Sequence, residues 1–179
     1  GAVTITGKSN ADHGVSVGGT NTFSGSSVTI DGTFQPLSVG SSNGVDLQGA
    51  TLNGTGNLTI TGNSSDGSGV RLDSASVIRS TGNITVNAPT GGTYVSGSSV
   101  QATAGTLALS GTATSDHGVH LSDANALSGT AVTVTGTTSS NSKDGVNVGE
   151  GTTNTLTGTG SLTITGTQTG TAFHGVLIN

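Results

Sequence analysis

The chain repeats one short β-type phrase seven times, and this repeat constrains the fold more than any other feature of the sequence. The phrase is an apolar residue, any residue and another apolar residue, as in the "LTITG" spelled at 58–62 and again at 162–166. Its copies begin at seven positions: Val3, Val28, Leu58, Ile84, Leu107, Val132 and Leu162. Short strand-like phrases recurring at a spacing of 23 to 30 residues are typical of a solenoid, in which each unit stacks on the next.

Two further phrases complete each repeat. The second is a glycine, a β-branched residue, any residue and an aliphatic residue, and it opens at Gly14, Gly44, Gly69, Gly92, Gly118, Gly145 and Gly175. The third is weaker and is marked by a single apolar residue: Phe23, Leu52, Ile78, Val100, Leu127 and Leu156. Because glycine accepts backbone angles that other residues resist, the sequence predicts a sharp corner at each glycine that opens a second phrase.

The alternation within each phrase predicts the fold. Val3 and Ile5 face one way along a strand, while the threonine between them faces the other. One rung cannot bury its apolar side alone, but rungs stacked about 4.8 Å apart form a continuous column. No stretch has the 3.6-residue apolar period of a helix. We therefore predict an all-β fold, a right-handed parallel β-helix of about seven rungs with three short strands each; the right hand is taken from the common case.

A longer period of 104 residues overlies the rungs. The first three rung starts map onto the last three by this spacing, and the Asp-His-Gly segment at 12–14 maps onto 116–118. We expect residues 1–179 to form a single β-helix segment, a fragment of a longer rod in which a block of four rungs is repeated. The open ends of such a stack expose unpaired backbone, so end-to-end self-association is expected.

Composition excludes several classes of function. The net charge is −5, from four Lys and Arg against nine Asp and Glu, which leaves too few basic side chains for a nucleic-acid surface. No apolar run approaches the roughly 18 residues of a membrane span, so we expect no membrane insertion. The absence of cysteine excludes disulfides and thiol chemistry.

The cadence TITG…HGV…LTGTG, with the rung phrases LTITG, DHGVSV, DHGVHL and NGVDL, resembles the repeat regions of bacterial two-partner secretion exoproteins. These include filamentous haemagglutinin and the high-molecular-weight adhesins, and the resemblance extends over the whole chain. It implies a long β-helix that is secreted, displayed on the bacterial cell surface and used for attachment in virulence. The implied partners are a host-cell surface protein or glycan, or other bacterial surface structures.

The acidic residues predict no catalytic centre. They are scattered over corners and outward positions, so we expect no acid–base pair, no enzyme activity, no catalytic residue and no cofactor. Asp46 and Arg71 occupy the same outward position on adjacent rungs and are expected to form an exposed ion pair. A carbohydrate-processing β-helix enzyme is the more distant alternative, because β-helices can carry such activities.

The residue before each second-phrase glycine includes three histidines. On the last three rungs this position is occupied by His117, Asp144 and His174, which are predicted to stack at steps of about 4.8 Å. Imidazole, carboxylate and imidazole are suited to a transition metal or to a proton-sensitive clasp, and the three residues are a weak candidate for a metal site. The alternative is a row of solvated corner residues.

Outward threonines form two columns along the first phrase. The first column is Thr4, Thr29, Thr59, Thr85, Ala108, Thr133 and Thr163, and the second is Thr6, Asp31, Thr61, Asn87, Ser110, Thr135 and Thr165. Such an array resembles the ice-binding face of β-helical antifreeze proteins, and an ice-binding β-solenoid is the alternative function. The other explanation is that threonine, being β-branched and polar, suits a solvated strand.

Two surface features are candidates for recognition or modification. Asn-X-Ser/Thr sequons are candidate glycosylation sites at Asn53, Asn57, Asn63 and Asn83. The longest insertion, at 31–43, brings apolar residues to a corner, and its candidate contact residues are Phe34, Gln35, Pro36 and Leu37. A shorter apolar bulge recurs at Ala172-Phe173. These apolar side chains either form a contact patch or fold back over the strands beneath.

Overall fold

The structure is a computed structural model that describes residues 1–23, 25–36, 42–149 and 153–179, and these ranges contain sixteen β-strands and no helix. The strands are β1 (Ala2–Ser9), β2 (Val15–Phe23), β3 (Ser27–Phe34), β4 (Val45–Gly54), β5 (Asn57–Ser64), β6 (Val70–Asp73), β7 (Val77–Ser80), β8 (Ile84–Thr90), β9 (Thr93–Ser96), β10 (Ser99–Ala102), β11 (Leu107–Ala113), β12 (Val119–Ser122), β13 (Ala126–Thr138), β14 (Val146–Val148), β15 (Thr155–Gln168) and β16 (Val176–Ile178).

The strands stack in parallel as a β-solenoid of about six turns, which confirms the predicted all-β parallel β-helix. First-phrase strands pair in the order β1-β3-β5-β8-β11-β13-β15, and second-phrase strands in the order β2-β4-β6-β9-β12-β14-β16. The third phrase lies in β7, β10 and parts of β2, β4, β13 and β15. Turns are numbered here by their first-phrase strand, so β8 begins turn four. The right hand of the winding stays a prediction.

The apolar side chains fill one continuous interior. Ile5, Ile30 and Ile60 are register partners on successive turns, and Ile30 and Ile60 are fully buried. The other inward columns align in the same way, for example Leu107 with Val132. Each fully buried aliphatic side chain contributes about 1.5–3 kcal/mol to stability. These side chains are buried only because neighbouring turns cover one another, so the stability of the core depends on the stack. Coverage decreases in β15, where Leu162 is 48% exposed.

Four strands are longer than predicted because they continue around a corner. β2 and β4 each carry a second and a third phrase, whereas β13 and β15 each carry a third phrase and the first phrase of the next turn. The pairing of β2 with β4 contains a register shift, because the corner of β4 has one more residue. Leu52 is therefore opposed by Asn21 and not by Phe23, so the predicted alignment of Phe23 with Leu52 is wrong.

The glycines that open the second phrase serve close backbone packing, which corrects the prediction that they provide the sharp corner. Among these seven described glycines only Gly92 has a positive φ, 72°. A Cβ built on Gly44 would lie less than 3.0 Å from the backbone of Asn63 in the next turn, and a Cβ on Gly62 less than 3.0 Å from the carbonyl of Gly69. Two columns of glycine thus face each other where the backbones leave no room for a side chain.

The sharp corner lies between the second and third phrases. Left-handed backbone angles occur there in the first six turns, at Gly19, Gly49, Ser74, Ala75, Gly97, Asp123 and Gly149. Glycine adopts this conformation without strain, whereas Ser74, Ala75 and Asp123 adopt it at some cost in backbone energy. One or two residues with these angles therefore redirect the chain at this corner, and the one-residue difference in its length between β2 and β4 produces their register shift.

Candidate functional site

The residues before the second-phrase glycines form a hydrogen-bonded column. The backbone N–H of Asp144 donates to Nδ1 of His117 (3.0 Å), and the backbone N–H of His174 donates to Oδ1 of Asp144 (3.0 Å). Nδ1 of His174 lies 3.1 Å from the same carboxylate oxygen. His117, Asp144 and His174 thus form a ladder in which each of the first two side chains accepts the N–H of the next turn. We call it the histidine–aspartate ladder.

Burial sets the charge state of this ladder. His117 is only 7% exposed, and its burial, reinforced by the charge of Lys143, lowers its pKa below the ordinary value. Burial alone would raise the pKa of Asp144, but hydrogen bonds from the N–H of His174 and from Nδ2 of Asn147 outweigh it, and the net pKa is lowered. The ladder therefore holds a neutral His117 beside an ionised Asp144 at neutral pH.

The hydrogen bonds of the ladder do not favour the metal site predicted at His117, Asp144 and His174. Nδ1 of His117 already accepts a backbone hydrogen bond. Oδ1 of Asp144 accepts from His174, and Oδ2 accepts from Asn147 (3.0 Å). Over the described ranges, no group of three or more His, Cys, Asp or Glu side chains is arranged to hold a metal ion. On His117 and Asp144, lone pairs that a metal would need instead accept hydrogen bonds from the protein.

Turns one and two contain a related arrangement. The backbone N–H of Asn43 donates to Nδ1 of His13 (2.9 Å), as that of Asp144 does to His117. Nδ2 of Asn43 donates to Oδ1 of Asp46 (2.7 Å), three residues further along the chain. In turn six the same two positions hold a carboxylate first and an amide second. The amide and carboxylate have exchanged places while the hydrogen bond between them is kept.

Asp46 belongs to this buried arrangement, so the expected exposed ion pair with Arg71 is wrong. The two residues are register partners, but Asp46 is 3% exposed and its Oδ2 lies 3.6 Å from Nε2 of His13. Arg71 pairs instead with Asp73 on its own strand. The second-phrase position that we expected to be solvated is therefore buried in turn two.

The candidate contact loop is shorter than predicted. Phe34 is the last residue of β3 and is 2% exposed, so it packs inside the solenoid and is not a contact residue. Gln35 is exposed and its N–H donates to the carbonyl of Ser9 (3.0 Å), while Pro36 is half-buried. Leu37 lies outside the described residues. Gln35 and Pro36 stay a prediction, and at the second apolar bulge Phe173 is 47% exposed.

The sequon asparagines lie on or beside strands and stay candidates for glycosylation. Oδ1 of Asn57 accepts the N–H of Asn83 (3.0 Å), and Oδ1 of Asn83 accepts the N–H of Thr106 (2.9 Å). Oδ1 of Asn63 lies 3.5 Å from the hydroxyl of Thr90, and Asn53 is half-buried in β4. Asn57 and Asn83 therefore form a second polar ladder, at the corner that leads into the first phrase.

A groove lies at turn four, where sequence reasoning assigned no site. Only residues 91–92 separate β8 from β9, whereas 65–69 separate β5 from β6 and 114–118 separate β11 from β12. The short corner of turn four therefore leaves a gap between the corners of turns three and five. The gap has a volume of about 720 Å³, and its lining includes Asp66, Arg71, Tyr94, Asp116 and Lys143. We call it the turn-four groove.

A row of stacked side chains runs along the second-phrase strands at this groove. The guanidinium carbon of Arg71 lies 5.9 Å from the ring centroid of Tyr94, and the ring of His120 meets Tyr94 edge to face at 5.3 Å. The phenol of Tyr94 hydrogen-bonds to the hydroxyl of Ser122 (2.9 Å), and the guanidinium of Arg71 donates to the carboxylate of Asp73. These contacts fix the orientation of Arg71 and Tyr94 before any ligand arrives.

The sequence contained a signal for this groove. The spacing of 23 residues from Ile84 to Leu107 is the shortest of the six. Ala88 replaces the glycine found at the equivalent place in neighbouring turns, such as Gly62, and Gly91 and Gly92 both have positive φ. A shortened corner predicts a gap in the stack of turns, but the side chains that line the gap depend on the register between several turns.

Comparison with known proteins gave no relative: no family model, no curated protein and no solved structure matches the chain. Among the described residues there is no helix with the length and apolarity needed to span a bilayer.

Proposed function

We propose that the chain is a structural and adhesive segment of a secreted bacterial exoprotein that is displayed on the cell surface. Its role is to extend a stiff rod and to present corner loops to host cells or to other bacteria. Binding partners are a host-cell surface protein or glycan, or other bacterial surface structures. Affinity is multivalent, because one rod presents many corner loops along its length.

The observation that supports this proposal is the contrast between a constant interior and variable corners. The inward columns of the first phrase keep their register from turn to turn. The corner between the first and second phrases changes from two residues in turn four to seven in turn six, 139–145. Such corners can change without disturbing the core, and exposed loops on a rigid repeat are suited to recognition.

The test is attachment of protein-coated beads to cultured epithelial cells and to bacteria. We expect coated beads to attach and the free protein to compete for attachment. Antibodies against the chain are expected to label intact cells of the bacterium that encodes it. If the coated beads attach to every cell type no better than albumin-coated beads do, adhesion is ruled out. If antibodies label the cells only after lysis, surface display is ruled out.

Ice binding is the second candidate, and one observation favours it. The outward threonines of the first phrase are aligned in register, as in the pairs Thr29–Thr59 and Thr59–Thr85. The second column is less regular, because Asn87 and Ser110 take the place of threonine in it. The hydroxyl of Ser110 donates to Oδ1 of Asn87 (2.8 Å). Thermal hysteresis of the purified protein tests this candidate. Ice crystals that grow as they do in buffer alone would eliminate it.

A further inference from the structure

We propose that the turn-four groove binds a short, uncharged oligosaccharide. The groove is a gap between the corners of turns three and five, with Pro89, Thr90 and Gly91 of turn four contributing to its lining. The inference depends on the proposed function only for its biological role, since the binding chemistry follows from the groove itself.

The size of the groove suits a few sugar rings. Its volume of about 720 Å³ lies within the range of small-molecule sites, roughly 300–1,000 Å³. Two turns of a β-solenoid separate its walls, which is a distance of about 10 Å at the usual spacing of strands. An elongated ligand of about two or three rings fits such a gap, whereas a folded protein domain does not enter it.

The charges of the groove favour an uncharged ligand. Two carboxylates, Asp66 and Asp116, and two basic groups, Arg71 and Lys143, belong to the lining. Nζ of Lys143 lies 3.8 Å from Oδ1 of Asp116, and Asp73 neutralises Arg71. With Asp73 the carboxylates outnumber the basic groups, so no excess of positive charge is available to attract a sulfated or carboxylated sugar, and the desolvation of an additional anion would not be compensated.

The hydrogen-bonding groups of the groove match a polyol. Each sugar hydroxyl both donates and accepts, so it pairs best with a surface that offers both kinds of group. Asp116 supplies carboxylate oxygens, Arg71 supplies a planar set of N–H donors, and the hydroxyls of Thr90, Thr112 and Thr114 do both. Hydrogen bonds to charged groups are stronger than neutral ones, and Arg71 is already oriented by Tyr94 and Asp73.

The fold does not require these side chains. A solenoid turn needs aliphatic residues inside and any polar residue outside, and most outward positions of this chain are Ser, Thr or Asn. The only tyrosine and two of the four Lys and Arg residues nevertheless line this one groove. Rare residue types gathered around turn four, which has the shortest corner among the described residues, indicate a role beyond stacking.

Binding is measured by isothermal calorimetry with a fixed panel of trisaccharides. The uncharged probes are maltotriose, cellotriose, mannotriose and triacetylchitotriose, and the anionic probes are trigalacturonic acid and a heparin trisaccharide. We expect at least one uncharged probe to bind with Kd of about 0.1–1 mM and to bind more tightly than either anionic probe.

Three variants locate the binding. Arg71→Ala removes the oriented donors and is expected to weaken binding about tenfold or more. Ser65→Trp, at an exposed corner position that lines the groove, is expected to fill the gap and abolish binding. The matched control Arg79→Ala lies on the third-phrase strand β7, where Arg79 bonds to Gln101, and is expected to leave the affinity within about twofold. Thermal unfolding checks that all three variants are folded.

Three results would overturn the inference: no uncharged probe binding at about 10 mM, tighter binding of an anionic probe, or equal affinity in both groove variants and the parent. Bead attachment separates this result from the proposed function. Attachment that persists in a folded Arg71→Ala variant without saccharide binding leaves the groove inference intact and places adhesion elsewhere. Saccharide binding without any bead attachment removes adhesion but leaves the groove site.

Discussion

At the scale of single residues, the solenoid depends on positions that have no side chain. Glycines near the end of the first phrase, in every turn except the fourth, and at the start of each second phrase bring two backbone segments together, and in turn three these are Gly62 and Gly69. The repeat revealed the second set of glycines, but their purpose was not readable from the sequence. The sequence alone does not distinguish a glycine needed for its dihedral angles from a glycine needed for close packing.

Substitution of Gly62 tests this explanation. A Cβ at Gly62 would lie less than 3.0 Å from the carbonyl of Gly69, so Gly62→Ala must push apart the two backbone segments that meet within turn three. We expect the free energy of unfolding to fall by about 3 kcal/mol or more. The matched control is Gly18→Ala, where the nearest atom, the carbonyl oxygen of Gln48, would be 3.7 Å away. Urea denaturation measures both, and equal stability of the two variants would show that close packing is not the reason for Gly62.

At the scale of elements, polar ladders join the corners of successive turns. His13 and His117 each accept the N–H of the residue one turn further along, and the amide–carboxylate pair beside each ladder is buried. The sequence correctly predicted that His117, Asp144 and His174 stack on successive turns, but it also made them a candidate metal site. The backbone donors that occupy their lone pairs become visible only when two corners are placed together.

The first prediction at this scale concerns pH. Burial lowers the pKa of His117 in the folded state, so the unfolded chain binds a proton more readily there. The stabilisation is therefore fully present above the ordinary histidine pKa of about 6.5 and is lost as pH falls through the lower folded pKa. We expect the free energy of unfolding to decrease below about pH 6.5, and His117→Asn, which keeps an acceptor but cannot titrate, to reduce the slope. An unchanged slope between about pH 6.5 and 5 would show that His117 is not responsible.

The pKa of Asp144 places a second transition at more acid pH. Because this pKa is lowered on folding, its stabilising contribution is present above the ordinary aspartate value of about 3.9 and is lost as pH falls through the folded value. The contribution of His117 is therefore measured above about pH 4.5, where Asp144 remains ionised.

The exchanged pair provides the second prediction at this scale. Asn147→Asp places a second carboxylate beside Asp144 in a buried site and is expected to lower the free energy of unfolding by about 2–4 kcal/mol. Adding Asp144→Asn recreates the order found at Asn43 and Asp46 and is expected to restore at least half of the loss. Chemical denaturation of the parent, the two single variants and the double variant gives the free energies of unfolding for a double-mutant cycle. Additive losses in the double variant would contradict the equivalence of the two ladders.

At the scale of the whole molecule, the sequence predicted the architecture better than its corners. The strand phrases identified the inward columns and the parallel stack, because alternation and a constant repeat are both visible in one chain. Phe23 was misaligned, since one additional corner residue in β4 changes the register without changing the phrases. The turn-four groove was missed for a related reason: its lining comes from several turns, and only their relative positions bring Arg71, Tyr94 and Asp116 together.

The central claim is that successive turns lie in register around one shared interior, and methyl NOE spectroscopy tests it most directly. The chain has only seven isoleucines, so a sample labelled at the isoleucine δ1 methyl groups gives few signals, and Ile30→Val identifies the middle one. The structure predicts cross-peaks from Ile30 to both Ile5 and Ile60, residues 25 and 30 positions away, because they are register partners on adjacent turns. Absence of both cross-peaks, with strong broadening of the Ile30 methyl by a soluble paramagnetic agent, would contradict the account.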